Sequence, residues 1–193
     1  LGAIDLSFLI IAGLLVLLAL FIWSSRRRIE RSSPPAAAAH GFRQTLAEVA
    51  RSPWALIGGA AIFLYVGAEV AIGTQMALFL NSREIWDIPL QQAGYYVSLY
   101  WLGAMIGRFV GSALLTRIAA HRLLAFCTAV AAALCLFVVV SRGVPAGYAA
   151  LAIGLFNSIM FPLIFTLTLE RSTASAESTS GFLCMSIIGG AIV

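Results

Sequence analysis

One acidic side chain, Glu69, stands well inside an apolar run that extends from Trp54 to Leu80. An ionisable group at that depth costs about 3 kcal/mol or more unless it faces a cavity, a ligand or a partner. Three readings follow: Glu69 binds a polar ligand, carries a proton, or locks helices together through a buried pair. Tyr65 lies one turn before it and Gly73 one turn after, so at helical spacing the three form one polar, partly open face. Thr74 and Gln75 add polar groups on a different side of the same run. Asn157 brings an amide into a later apolar run, where it can meet ligand hydroxyls or a neighbouring helix. Five residues on, Pro162 removes a backbone donor, which predicts a bend. Tyr95, Tyr96, Tyr100 and Trp101 cluster in a third run, where such rings either form an interfacial belt or stack on the apolar face of a sugar ring.

Arg108 lies near one end of that third run, within reach of polar surroundings or of a neighbouring helix's carbonyls, which favours a structural or gating role over ligand contact. Gly103, Gly107 and Gly111 recur every fourth residue and so line one stripe of one helix. Small residues in that pattern allow close helix approach, either as static packing or as a contact that slides. Cys127, Cys135 and Cys184 sit in apolar runs without CxxC spacing and read as small packing residues. No cofactor or metal-binding pattern is present. His40 and His121 fall in polar linkers, away from any relay through the apolar runs. An intramembrane enzyme would need a nucleophile and base or a metal-ligand set. Paired Glu/His, HExxH and GxSxG are missing, so the chain reads as a non-enzyme.

The elements that must position these groups are set by composition. Apolar residues make up 61% of the 193 positions, charged residues only 10%, and the mean hydropathy is +0.98. That balance belongs to a membrane protein, with the lipid bilayer as its surroundings. A bilayer core about 30 Å thick needs about 20 helical residues. Five runs meet the requirement: Leu6 to Trp23, Trp54 to Leu80, Ala93 to Leu115, Leu123 to Val140, and Tyr148 to Leu169. A sixth begins near Gly181. No alternating ten-residue strands suggest a barrel, so the expected class is an all-α membrane protein.

All 12 basic side chains are arginine, and nine lie in linkers 24 to 52, 116 to 122 and 170 to 180. Linkers 81 to 92 and 141 to 147 hold only Arg83 and Arg142. Arginine is retained on the cytoplasmic side, so the spans alternate from an outward-to-inward first helix. Arg26, Arg27, Arg28, Arg31, Arg43 and Arg51 then read as a topogenic signal facing anionic lipid rather than as a nucleic-acid patch; no nucleic-acid partner is expected. Linker 24 to 52 carries Pro34-Pro35, an alanine run, and an amphipathic surface helix from Gly41 to Arg51. One long basic linker followed by short loops is the pattern at the junction of a two-bundle transporter. On that reading residues 1–23 are the last span of an N-terminal bundle, 24–52 the inter-bundle linker and 53–193 a C-terminal bundle cut in its fifth span. The first bundle is then a partner supplied by the same chain, and the sequence looks truncated at both ends.

Several segments resemble a known family. Gly107 to Leu124, GRFVGSALLTRIAAHRLL, is similar to the loop between spans eight and nine of the fucose:proton symporter family of the major facilitator superfamily. YVGAEVAIG from Tyr65 to Gly73, NSIMFPLIFTLTLE from Asn157 to Glu170, and CMSIIGGAIV from Cys184 to Val193 resemble its bacterial glucose/galactose transporter branch. The resemblance implies a twelve-helix fold of which this chain covers about spans six to eleven. It also implies alternating access and import of a hexose, such as glucose, galactose or fucose, with a proton or other cation across a bacterial inner membrane. Under it Glu69, Asn157, Tyr65, Gln75 and Tyr100 are the substrate-binding candidates, with Arg108, Arg117 and the glycines 103, 107 and 111 in gating or packing. Thr116 precedes Arg117 where the superfamily's loop pattern has an acid. The rival reading is a sugar sensor on the same scaffold.

Overall fold

The computed structural model describes residues 2–32 and 41–192, so Pro34-Pro35, the alanine run and His40 lie outside it. The described residues form helices and contain no strand, as the all-α expectation requires. The chain divides into two compact units. The first holds α1 (Ala3–Ser32), within which Asp5–Arg26 is long and apolar enough to cross a membrane. Near its polar end the Arg26 guanidinium lies 4.4 Å from the centre of the Trp23 ring, a cation–π pair suited to a membrane interface.

The second unit begins at Phe42 and holds α2 (Phe42–Ala50), α3 (Pro53–Asn81), α4 (Leu90–Leu115), α5 (Ala120–Val140), α6 (Gly143–Asn157), α7 (Met160–Arg171), α8 (Ala176–Ser186) and α9 (Gly189–Ile192). Four spans long and apolar enough to cross a membrane lie here: Pro53–Asn81, Leu90–Leu115, Ala120–Val140 and Gly143–Arg171. Each contains one of the expected runs. The last is two helices, because regular helical hydrogen bonding lapses at Ser158 and Ile159, although both keep right-handed helical dihedrals. The expected bend is therefore a break four residues before Pro162. The reason is local: a proline has no N–H to return to the carbonyl four residues earlier, which here is that of Ser158. α8 starts at Ala176, earlier than the expected Gly181, because Ser175 caps it by accepting the Ser178 N–H at 3.3 Å.

α3 is the central element and packs against α2, α4, α6, α7, α8 and α9. Ser52 caps its start and Pro53 fills its first turn, where a missing N–H costs nothing. Two apolar cores lie along it. One joins Ile62, Val66, Leu123, Leu163 and Leu183; the other, further along, joins Met76, Leu80, Ile85, Ala146 and Leu151. Many large apolar side chains face outward, Leu64 and Phe109 among them, as a bilayer environment permits.

Both ends of the helix group are tied by side chains. At one end Trp86 donates its Nε1–H to the Val144 carbonyl at 3.3 Å and stacks edge-on against Tyr96 and Tyr148. Its ring fills the space beside Gly147, where a Cβ would meet it at 2.4 Å. The same loops carry the Arg142–Glu84 ion pair at 2.8 Å, exposed and so worth little. At the other end the Glu48 carboxylate of α2 accepts the Ser175 N–H at 2.6 Å and both the Ser175 and Ser178 hydroxyls, at 3.1 and 2.7 Å. A carboxylate at a helix N-terminus meets unpaired N–H groups and the positive end of the helix dipole. Beside it the hydroxyls of Ser52, Ser172 and Thr179 form a chain with steps of 3.1 and 2.7 Å. The expected surface helix is thus present as α2. Its Val49 is buried while Phe42 and Leu46 stay exposed.

Candidate functional site

The break between α6 and α7 leaves carbonyls without helical donors at mid-span, and two other helices supply them. The Tyr65 hydroxyl of α3 donates to the Asn157 carbonyl at 2.9 Å. Arg108 Nε of α4 donates to the Ser158 carbonyl at 3.3 Å. A helix end inside a membrane span must be satisfied in this way, since lipid offers no hydrogen bonds. Ser158 also closes its own turn, its hydroxyl donating to the Leu155 carbonyl at 3.1 Å.

Gly107 brings α4 close enough for these bonds. A Cβ there would stand 2.1 Å from the Leu155 carbonyl oxygen and 2.5 Å from Ser158 Oγ. Gly111 faces the Ile159 side chain at 2.8 Å, Gly103 approaches the Leu155 nitrogen, and from α6 Gly154 faces the Tyr100 carbonyl. The glycine stripe is therefore the contact surface of α4 on α6 and the break. Arg108, next in sequence to Gly107, reaches the Ser158 carbonyl although much of its side chain is exposed.

Glu69 is partly exposed, about 24 Å along α3 from Pro53 and about 18 Å from Asn81 at 1.5 Å per residue. Its carboxylate lies within electrostatic reach of the Tyr65 hydroxyl and the Arg108 guanidinium. Tyr100 is fully buried and Asn157 is 6% exposed. Tyr100 Oη and Asn157 Nδ2 are near enough to interact, yet neither closes a hydrogen bond of normal geometry. Buried polar atoms without partners are uncommon and call for a functional account. The site thus brings together Tyr65 and Glu69 from α3, Tyr100 and Arg108 from α4, and Asn157 from α6.

Other candidates lie elsewhere. Gln75 lines a groove of about 320 Å³ with Ile72, Met76, Cys135 and Ile153, away from Glu69. Thr74 returns its hydroxyl to the Val70 carbonyl at 2.8 Å and is satisfied within its own helix. Arg117 is exposed in the turn after α4. Cys127 is in the core, Cys135 is half-buried and Cys184 is exposed. Among the described residues no group of three or more His, Cys, Asp or Glu could hold a metal ion.

Sequence reasoning did not find the carbonyls of Asn157 and Ser158, although Pro162 marks the second by its spacing of four. It also did not find Glu48, whose partners lie in a distant segment, or the place of Trp101. That ring stands over Gly73, with Cζ2 3.1 Å from where a Cβ would be, and meets Tyr100 edge-on at 5.2 Å.

The sequence profile of the Major Facilitator Superfamily matches residues 2–193. The chain belongs to that superfamily. A glucose/galactose transporter of Brucella abortus is 44% identical over 138 residues, covering 72% of this chain and 34% of the relative. The L-fucose-proton symporter of Escherichia coli is 32% identical over 199 residues, covering 99% of this chain and 44% of the relative. The crystal structure of the E. coli fucose:proton symporter superimposes with a TM-score of 0.81 at 29% identity, over 98% of this chain and 46% of that one. A second crystal structure of that symporter, in the outward conformation, gives 0.80 over the same shares. The chain spans between a third and a half of the length of these relatives. The major facilitator fold and the fucose and glucose/galactose branch expected from the motifs are thereby borne out. The relatives are transporters rather than enzymes, in keeping with a multi-pass membrane protein.

Proposed function

We propose that the whole protein imports a hexose with a proton or other cation by alternating access, in a bacterial inner membrane. Residues 1–23 then end its first bundle, 24–52 link the bundles, and 53–193 belong to the second. The observation that carries this reading is the set of underused polar groups at mid-span. Tyr100 Oη and Asn157 Nδ2 lack partners beside a carboxylate, Glu69, that is only partly covered. Hexose hydroxyls both donate and accept, so they could satisfy all three at once. Tyr65 holds the α6 end through the Asn157 carbonyl and so positions that amide. Gln75 is the weakest of the proposed contacts, since it faces the α3–α5–α6 groove. The names of the relatives support glucose, galactose and fucose as the class. Arg108 and the glycine stripe would govern movement of α4 against the break, with Arg117 at its cytoplasmic end.

The test uses the full-length protein in proteoliposomes with labelled glucose, galactose and L-fucose, with and without an imposed proton gradient. Accumulation that collapses when the gradient is discharged is expected for at least one sugar. Absence of both uptake and exchange for all three would overturn the reading.

A further inference from the structure

Trp101 is half exposed, with 50% of its surface free, whereas Tyr65, Tyr100 and Asn157 are buried and Glu69 is partly covered. Its depth separates two uses of such a ring. It lies eleven residues into α4, about 16 Å from Leu90 in a helix about 39 Å long. Interfacial belts form at headgroup level, near helix ends, so Tyr95 and Tyr96 fit a belt and Trp101 does not. Nor is the ring loose. Its rim rests in the space that Gly73 leaves on α3, and the buried Tyr100 ring supports it edge-on at an interplanar angle of 84°.

Gly73 is one turn from Glu69 on the same face of α3, about 6 Å along the axis. The aromatic ring is therefore seated one helical turn along α3 from the residue that bears the carboxylate, a rise comparable to the width of a pyranose. Tyr100, directly before Trp101, turns its unpaired hydroxyl toward Asn157. The arrangement matches the two faces of a pyranose: a patch of C–H groups, polarised positive, and a rim of hydroxyls. The face of an indole is negative and attracts such C–H groups.

Resting on the hexose reading above, we propose that Trp101 is the platform on which the C–H face of the sugar lies while Glu69 takes hydroxyls at its rim, and that Gly73 sets the platform's height. The ring then selects cyclic hexoses over acyclic polyols, which carry hydroxyls but present no flat C–H patch.

The experiment measures galactose and glucose exchange by the full-length protein in proteoliposomes, with mannitol as competitor, for wild type, Trp101→Phe and Trp101→Leu. The leucine variant is expected to raise KM for both hexoses by about tenfold, equivalent to about 1.4 kcal/mol. The phenylalanine variant should restore most of that loss, and mannitol should compete poorly with the wild type. Galactose should also quench tryptophan emission in the wild type and not in Trp101→Phe. A wild-type KM in Trp101→Leu overturns the platform. So does a loss of melting temperature and transport together that phenylalanine does not rescue, which would mark a packing residue. If the leucine variant does not fold, galactose quenching that persists in Trp101→Phe overturns it instead. A wild type that exchanges neither these hexoses nor L-fucose overturns the hexose reading itself, and the platform with it.

Discussion

Arg108 Nε lies 3.3 Å from the Ser158 carbonyl oxygen and takes the place of the backbone donor that Pro162 lacks. One helix thus holds the broken end of another through a side chain, a bond that can be exchanged more readily than an in-line helical one. Pro162→Ala returns an N–H to that carbonyl and sets it in competition with Arg108. The variant should melt at the same or a higher temperature, with a gain of up to about 1.5 kcal/mol, the usual range for a net hydrogen bond. Sugar exchange should slow several-fold. Unchanged exchange with a straightened α6–α7 would mean that the break plays no part in transport.

Glu69 faces a sharper test because sugar contact and proton carriage predict different losses. Glu69→Gln keeps shape and hydrogen bonding but removes the titrating group. If the carboxylate carries the coupled proton, gradient-driven accumulation should vanish while exchange persists, since exchange needs no net proton movement. If it binds sugar hydroxyls, both should weaken together through a raised KM. Wild-type behaviour in both assays would make Glu69 a structural residue.

Substitutions along the glycine positions should separate contact from open surface. A methyl at Gly107 would meet the Leu155 carbonyl at 2.1 Å, whereas Gly94, on the same helix, and Gly181 have no neighbour within 4 Å of the same atom. Gly107→Ala should cost about 1–3 kcal/mol through overpacking, read as a lowered thermal midpoint. Gly94→Ala and Gly181→Ala should leave it unchanged or raise it slightly, by up to about 1 kcal/mol, as helix propensity favours alanine. Equal midpoints for all three would refute the close contact of α4 with α6.

Membrane sidedness is accessible by labelling. With Cys184 replaced by serine, a cysteine at Arg83 should react with an impermeant maleimide only from outside, and one at Ala119 only from the cytoplasm. Reaction of both from the same side would remove one span from the topology.

The clamp at the start of α8 ranks two glutamates. Glu48→Ala should lower stability by about 1.5–3 kcal/mol, because three charge-assisted bonds are lost and the Ser175 N–H is left unmet. Glu177 is exposed in the first turn of α8 and contributes through the helix dipole, so Glu177→Ala should cost about 0.3–1 kcal/mol. A reversed order in chemical or thermal unfolding would show that the clamp is not a stabilising contact.

The span positions were legible because each rests on about twenty consecutive apolar residues, a signal that no single tertiary contact can reverse. The amphipathic pattern after Gly41 located α2 because helical periodicity is also carried by neighbouring residues alone. The separation of Gln75 from Glu69 followed from helical angle alone. What could not be read is what depends on register between distant helices. Tyr65 and Asn157 are 92 residues apart, Arg108 and Ser158 are 50 apart, and no periodicity states which hydroxyl meets which carbonyl. Pro162 announced a freed carbonyl but not the arginine that takes it. Trp101 was ambiguous between belt and platform until its depth and its seat on Gly73 were known.

The Glu48 clamp also dates its own formation. Its carboxylate and the Ser175 amide are 127 residues apart, so at about 5–20 residues per second roughly 6–25 s of synthesis separate the two. Throughout that interval α3 to α7 are being threaded into the bilayer while α2 has no α8 to hold. The clamp can close only after the intervening spans have been inserted. It acts as a checkpoint that registers the completed assembly of the helices between them, and a ribosome stalled before Ser175 should leave α2 open to protease.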